Sequence, residues 1–117
     1  MARTILIVDD HPTFRRTARL VLEAEGYEVV GEAGDGAEAV RRARELSPEA
    51  VLLDVQLPDV DGFEVAERLR SEGGGPMVVM TSSLDAADLG PRIERCGARG
   101  FITKRELSGE RLRALIG

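Results

Sequence analysis

Five short apolar stretches alternate with amphipathic segments along the whole chain. Several of the apolar stretches are nearly continuous in Val, Leu, Ile and Ala, as is typical of parallel strands covered on both faces. The pattern predicts five buried strands, which are Thr4–Val8, Tyr27–Ala33, Ala50–Asp54, Met77–Thr81 and Arg99–Thr103.

The segments between these strands carry helical spacing. The first places Phe14, Ala18, Val21 and Leu22 on one face, and the fourth places Leu89, Ile93 and Cys96 on one face. Pro12 suits a first helical turn, where its missing N–H is not needed. Glycines mark helix ends, namely Gly26, Gly73–Gly75 and Gly97, and a fifth helix is predicted over Glu106–Ile116.

The resulting order, βαβαβαβαβα, calls for a parallel sheet with helices on both faces, joined by right-handed crossovers. Sheets of this doubly wound α/β class bind ligands beyond the carboxyl ends of their strands. The residues at the five strand ends are therefore the first candidates for a functional site.

Composition narrows the possible functions. The 117 residues suffice for one domain, taken as residues 1–117. A net charge of -5 argues against direct binding to nucleic acid. The longest apolar runs, Ile5–Val8 and Ala50–Leu53, are too short to span a bilayer, and Met1–Thr4 lacks a signal-peptide pattern. The single cysteine, Cys96, excludes an internal disulfide and fits a core position in a reducing cytoplasm.

Carboxylates follow two of the strands that the fold would bring together. Asp9 and Asp10 end the first strand and Asp54 ends the third. Three carboxylates in one crevice repel each other unless a cation or a proton is bound. Oxygen-only ligands favour Mg²⁺ or Mn²⁺. Asp10 could bind the metal directly and Asp9 through water, with Asp54 and the Gln56 carbonyl completing the set; alternatively, Asp10 caps the first helix and Asp54 only ends a strand.

Hydroxyl groups stand at the end of the fourth strand and a lysine at the end of the fifth. Thr81, Ser82 and Ser83 could donate to a phosphoryl oxygen, although such residues also cap helices. Lys104 ends the fifth strand and is the only lysine among sixteen basic residues. Acids, a hydroxyl and a lysine at neighbouring strand ends describe a phosphoryl-transfer site, with an aspartate as nucleophile and the metal and lysine offsetting phosphoryl charge.

Five motifs together give the chain a specific resemblance over essentially its whole length. They are Ile7–Pro12, Leu52–Pro58, Asp61–Gly62, Met80–Ser82 and Gly100–Lys104. With them the chain resembles a response-regulator receiver domain of two-component signalling. The Asp9–Pro12 opening and the run Gly31–Ala33 are similar to the NarL/LuxR-type subfamily, whose usual helix-turn-helix DNA-binding domain is absent from this sequence.

The resemblance implies a flavodoxin-like (β/α)5 fold with strand order 2-1-3-4-5. It implies that Asp54 is the phosphoacceptor and that Asp9 and Asp10 form the acidic pocket for magnesium. Thr81 would be the switch hydroxyl, with Ser82 beside it at the phosphoryl group and Phe101 as the aromatic switch residue. The signal would leave through the fourth helix, fifth strand and fifth helix, a two-state element biased by a change of charge.

Some residues of these motifs also have simpler interpretations. Phe101 could equally be plain core. His11 could suggest a general base, but we interpret it as a loop residue near the acid pair. Asp59 and Asp61 fit turn and capping chemistry better than metal binding. The glycines at 31, 34 and 36 do not match a dinucleotide-binding motif.

One residue departs from the family pattern. Receiver domains commonly place proline after the lysine, often through a cis bond, whereas this chain has Arg105. A cis bond before a residue other than proline costs about 3 kcal/mol, which favours a trans bond and a differently shaped loop. The departure leaves the coupling between phosphorylation and output in question.

Two other function classes stay open beside the signalling switch. A metal-dependent phosphatase of the haloacid-dehalogenase kind also forms an aspartyl phosphate, but it carries a D-x-D motif after its first strand. A pseudo-receiver would bind a partner without phosphorylation, and Arg105 keeps that alternative open.

The leading interpretation is a signalling switch rather than a conventional enzyme. Such a switch catalyses only its own phosphoryl transfer and autodephosphorylation. The implied partners are a histidine kinase and a downstream protein or DNA-binding output domain, with a homodimer on phosphorylation plausible by analogy. The sequence does not identify the kinase or the output. It also leaves open whether the chain is a stand-alone regulator or part of a longer transcription factor.

Overall fold

A computed structural model describes residues 3–71 and 75–117. Five parallel strands form one sheet in the order β2-β1-β3-β4-β5. The order and the doubly wound α/β class are those predicted, and each strand begins and ends within one residue of its prediction. The strands are β1 (Thr4–Val8), β2 (Glu28–Ala33), β3 (Ala50–Asp54), β4 (Met77–Ser82) and β5 (Gly100–Thr103).

Helices cover both faces of the sheet. The first begins at Pro12, as predicted, and ends just before Gly26, whose positive φ of 98° suits a residue without a side chain. Gly97 follows a helix in the same way, whereas Gly73 and Gly74 lie outside the described residues. The helices are α1 (Pro12–Ala24), α2 (Gly36–Leu46), α3 (Gly62–Ser71), α4 (Ala86–Leu89), α5 (Arg92–Arg95) and α6 (Gly109–Ile116).

The fourth helical segment is broken into α4 and α5, which corrects the prediction of one helix. Gly90 adopts a positive φ of 69°, and Pro91 has no N–H to continue the helical ladder. Leu89, Ile93 and Cys96 nevertheless pack against the same core, so the predicted apolar face is preserved.

The last helix is also shorter than the predicted Glu106–Ile116. Lys104–Glu106 forms a 3₁₀ turn, and α6 begins at Gly109. Ser108 is the N-cap, because its hydroxyl accepts a hydrogen bond from the Arg111 N–H at 3.1 Å.

The two-residue period of the strands divides the core into two layers. Ile5, Ile7, Leu52, Val79 and Ile102 face α1 and α6, whereas Leu6, Val8, Val51, Leu53 and Met80 face the side of α2 and α3. Cys96 is buried in the second layer, as predicted. The same alternation, continued to the residue after β1 and β5, places four polar residues on the α1–α6 side of the sheet, namely Asp9, Asp54, Thr81 and Lys104.

Candidate functional site

A buried ion pair lies at the carboxyl end of the central strands. Asp9 and Asp54 follow paired positions of β1 and β3, and both side chains are buried. The Lys104 Nζ lies 2.6 Å from Asp9 Oδ2 and 3.2 Å from Asp54 Oδ2. Two buried carboxylates thus share one cation, which also lies 4.8 Å from the centre of the Phe14 ring.

The shared cation does not fully offset the two acids. Burial and the neighbouring charge of Asp9 raise the pKa of Asp54 to about 6, against the lowering effect of Lys104 and the Gln56 N–H. Burial alone would lower the pKa of Lys104, but the Asp9 and Asp54 carboxylates outweigh it and raise that pKa. Asp54 is therefore mostly ionised at pH 7, but burial and the Asp9 charge make the ionised form unfavourable. A bound cation would stabilise that ionised form.

Asp10 and His11 complete the acidic end of the site. His11 Nδ1 lies 2.9 Å from Asp9 Oδ1 and 3.0 Å from Asp10 Oδ1. Ligand atoms of these three residues and of Asp54 all lie within 4.8 Å of one another. The N-cap of α1 is His11 and it carries no side-chain cap, so the alternative role of Asp10 as that cap is wrong.

A crevice of about 230 Å³ opens over this cluster. It is lined by the acids, the lysine and the loops after β3 and β4, namely Asp10, His11, Asp54, Gln56, Leu57, Pro58, Ser83 and Lys104. The Gln56 side chain is exposed, while its N–H donates to Asp54 Oδ1 at 3.2 Å. Metal binding by the Gln56 carbonyl stays a prediction.

The hydroxyl groups after β4 divide between two environments. Thr81 pairs with Asp54 across the β3–β4 ladder, and its Oγ1 is buried without a hydrogen-bond partner in the described part of the chain. A buried hydroxyl without a partner is unfavourable, so this atom fits a site that receives an acceptor. Ser82 points to the other face and accepts from the Leu84 N–H at 3.0 Å, whereas Ser83 is exposed and lines the crevice.

The loop after Lys104 differs from a proline-containing one. Residues 3–71 and 75–117 contain no cis peptide bond, so the Lys104–Arg105 bond is trans. The Thr103 hydroxyl donates to Glu106 Oε1 at 2.7 Å across the 3₁₀ turn. The Arg105 guanidinium donates to Asp85 Oδ1 at 2.8 Å, which joins this loop to the loop after β4.

Two further sets of residues occupy the positions expected of them. Asp59 accepts from the Gly36 and Ala37 N–H groups, and Asp61 accepts from the Phe63 N–H, so both cap helices as predicted. Phe101 is partly buried and packs against the core layer next to α5. This position is compatible with plain core and with an aromatic switch, so its switch role stays a prediction.

Sequence reasoning missed the group that anchors the end of β1. Arg15 donates to the backbone carbonyl of Asp9 at 2.6 Å and to Glu32 Oε1 at 3.0 Å. Arg19 donates to the other oxygen of Glu32 at 2.9 Å. The available signal was the helical spacing of Arg15 and Arg19, which puts both on one side of α1 beside an acid in the second strand.

Comparisons with known proteins agree with this geometry. The family model of the response regulator receiver domain matches residues 5–116. The chain is 44% identical over 110 residues to a transcriptional regulator of Pseudomonas aeruginosa, covering 94% of this chain and 53% of that protein. It is 39% identical over 106 residues to the transcription regulator BvgA of Bordetella pertussis, covering 91% of this chain and 51% of that protein.

Solved structures show the same fold. The signal receiver domain of the response regulator NarL from Mycobacterium tuberculosis superimposes with a TM-score of 0.87 at 31% identity, covering 99% of this chain and 98% of that one. The chain spans about half the length of the curated relatives it matches. Within the described residues, every helix is too short or too polar to cross a bilayer. The chain belongs to the response regulator receiver domain family.

Proposed function

We propose that this chain is a phosphorylation-activated switch that accepts a phosphoryl group on Asp54 from a histidine kinase in a magnesium-dependent reaction. The observation that carries the proposal is the buried Asp54 carboxylate beside Lys104, at the wall of a polar crevice. Residues 1–117 would act as one receiver domain, of which 5–116 match the family model.

The chemistry requires an ionised Asp54. With a pKa of about 6, its carboxylate is largely available at pH 7 as a nucleophile. A carboxylate oxygen attacks the phosphorus of a phosphohistidine, an O–P bond forms, and the N–P bond to the imidazole breaks. The leaving nitrogen takes up a proton, and Lys104 offsets the negative charge that arrives with the phosphoryl group.

The donor set supports a hard divalent cation. Asp9, Asp10 and Asp54 offer carboxylate oxygens, and the predicted Gln56 carbonyl would add another, a set that suits Mg²⁺ or Mn²⁺. When bound, the ion would supply positive charge to phosphoryl oxygens. The unpartnered Thr81 hydroxyl supports a role in binding the phosphoryl group. The predicted phosphoryl-binding role of Ser82 has no such support, because its hydroxyl lies on the other face of the sheet and accepts from the Leu84 N–H.

Movement of Thr81 and Phe101 would carry the signal to α4, α5, β5 and α6. The expected receivers of that signal are a downstream protein or a DNA-binding output domain, or a second copy of the chain on phosphorylation. The chain itself is not expected to contact nucleic acid, since its net charge is -5. A cytoplasmic location and the limited activities of phosphoryl transfer and autodephosphorylation belong to the same proposal.

Intact-mass analysis after incubation with acetyl phosphate tests the proposal. We expect one phosphoryl adduct that requires Mg²⁺, is absent from Asp54→Asn and persists in the control Asp59→Asn, whose carboxylate caps α2. If the wild type gives no adduct with acetyl phosphate or with a histidine kinase, although it binds Mg²⁺, the pseudo-receiver is the better account. An adduct on Asp54→Asn would exclude Asp54 as the acceptor.

A further inference from the structure

We propose that Arg15 is a positioning residue, which sets the direction of the Asp9 carboxylate and thereby the affinity of the acidic site for Mg²⁺. The inference rests on the proposed metal-dependent function of that site. It concerns a residue on α1 that contacts neither the crevice nor the Asp10 and Asp54 carboxylates and acts only through the backbone of Asp9.

The backbone of Asp9 is held from two sides. Its N–H donates to the Ala33 carbonyl of β2 at 3.0 Å, and its carbonyl accepts from Arg15 Nη1 at 2.6 Å. Asp9 is the residue at which β1 turns toward α1, so these two bonds fix the peptide groups on either side of its Cα. With both peptides fixed, the buried carboxylate has little freedom beyond its own side-chain rotamers.

Arg15 is itself held in place by Glu32. Its Nε lies 3.0 Å from Glu32 Oε1, while Arg19 Nε lies 2.9 Å from Glu32 Oε2. Burial raises the pKa of Glu32, but the hydrogen bonds and charges of Arg19 and Arg15 together outweigh burial and lower that pKa below its usual value. Glu32 is therefore ionised at pH 7. The arrangement resembles the outer shell of a metal site, where partners behind a ligand fix its orientation.

Positioning and simple electrostatics predict opposite results when Arg15 is removed. If Arg15 acted only through its positive charge, its loss would strengthen binding of a divalent cation at the acidic site. If it acts by fixing Asp9, its loss weakens binding, because the carboxylate must then be ordered when the metal binds. The sign of the change therefore separates the two explanations.

The experiment is calorimetric titration of Mg²⁺ into the wild type, Arg15→Gln and Arg19→Gln. Arg19 is the matched control because it lies on the same helix and binds the same carboxylate, while its other described partner is Glu23 rather than Asp9. We expect the Kd for Mg²⁺ to rise about 10-fold in Arg15→Gln and to change by less than about twofold in Arg19→Gln. Amide NMR shifts of Asp9 should move in Arg15→Gln alone.

A second variant, Arg15→Lys, keeps the test usable if Arg15→Gln does not fold. Arg15→Lys keeps the charge but loses the fork that reaches Asp9 and Glu32 together, so an increase in Kd of about threefold is expected. An unchanged or lower Kd in Arg15→Gln, or an equal rise in Arg19→Gln, would overturn the positioning role while leaving the proposed function intact. Failure of the wild type itself to bind Mg²⁺ would instead contradict the proposed function.

Discussion

The two sides of the candidate site are held together in different ways. The acid side consists of the loops after β1 and β3, residues 9–11 and 55–61, and its contacts run to backbone atoms. Arg15 holds the Asp9 carbonyl, the His11 N–H donates to Asp9 Oδ1 at 2.8 Å, and the Gly62 N–H donates to the Val55 carbonyl at 2.7 Å.

The switch side consists of residues 83–85 and 105–108, in the loops after β4 and β5. Apart from the buried ion pairs of the preceding Lys104, its links are weaker. Its two loops are joined by the exposed pair of Arg105 and Asp85, and it leads into two helices of four residues each. The Thr81 hydroxyl at its base has no hydrogen-bond partner among the described residues. Short helices and exposed contacts open at low cost, so one side is suited to hold a fixed metal geometry and the other to change.

Substituting the glycine next to the acid side should destabilise the protein more than substituting the glycine next to the switch side. A Cβ at Gly62 would lie 2.1 Å from the Asp54 carbonyl oxygen and 2.8 Å from Val55 Cα, and these backbone atoms cannot move aside cheaply. We expect Gly62→Ala to lower the free energy of unfolding by about 3 kcal/mol or more.

Gly90, between α4 and α5, is the comparison for that substitution. A Cβ there meets nothing within 4 Å, so Gly90→Ala is strained only by its φ of 69° and should cost about 1 kcal/mol. Urea unfolding followed by circular dichroism measures both variants. Equal losses would contradict the difference between the two sides.

Asp54→Asn should stabilise the metal-free protein at neutral pH. Because the folded-state pKa of Asp54 is raised to about 6, the folded chain binds more protons than the unfolded chain between pH 4 and 6. The ionised side chain therefore lowers stability increasingly as the pH rises through this window. Removing the charge should restore on the order of 2 to 3 kcal/mol at pH 7 and almost nothing below pH 4.

Asp59→Asn, also on the acid side, should change the stability at pH 7 in the opposite direction. Hydrogen bonds from the Gly36 and Ala37 N–H groups lower the pKa of Asp59, so its contribution is stabilising above the unfolded pKa and is lost as the pH falls. Asp59→Asn should therefore reduce stability at pH 7. Unfolding in EDTA from pH 4 to pH 8 compares the two variants, and a pH-independent effect of Asp54→Asn would contradict the buried-charge argument.

The smallest effect is expected from the ion pair of the switch side. Arg105 and Asp85 are both largely exposed, so a double-mutant cycle with alanine should give a coupling energy of about 0.2 to 1 kcal/mol that falls with added salt. A coupling above about 2 kcal/mol would mean that this loop is as firmly held as the acid side.

The sequence predicted the strands well because their pattern is local. The apolar runs, and the residues at their ends, were enough to predict that Asp9, Asp54, Thr81 and Lys104 lie at one edge of the sheet. The broken fourth helix could have been anticipated at Gly90–Pro91, and the Ser108 cap explains the late start of α6. Both signals were weaker than the helical spacing around them.

The contacts that the sequence did not disclose join residues that are distant in the chain. A capping role was predicted for Asp59, but not that the helix it caps is α2. That choice and the pairing of Arg15 with Glu32 depend on side-chain placement across elements, which no local pattern specifies. The alternation of strand faces also separates Ser82 from Thr81, although the two are neighbours in the sequence.

Hydrogen exchange with mass spectrometry, before and after phosphorylation by acetyl phosphate and Mg²⁺, tests whether phosphorylation changes the switch side and leaves the acid side fixed. We expect exchange to change in residues 81–106, residues 4–12 and 50–62 to keep their protection, and Asp54→Asn to give no change. Equal changes on both sides of the site, or a change confined to the acid side, would contradict this expectation.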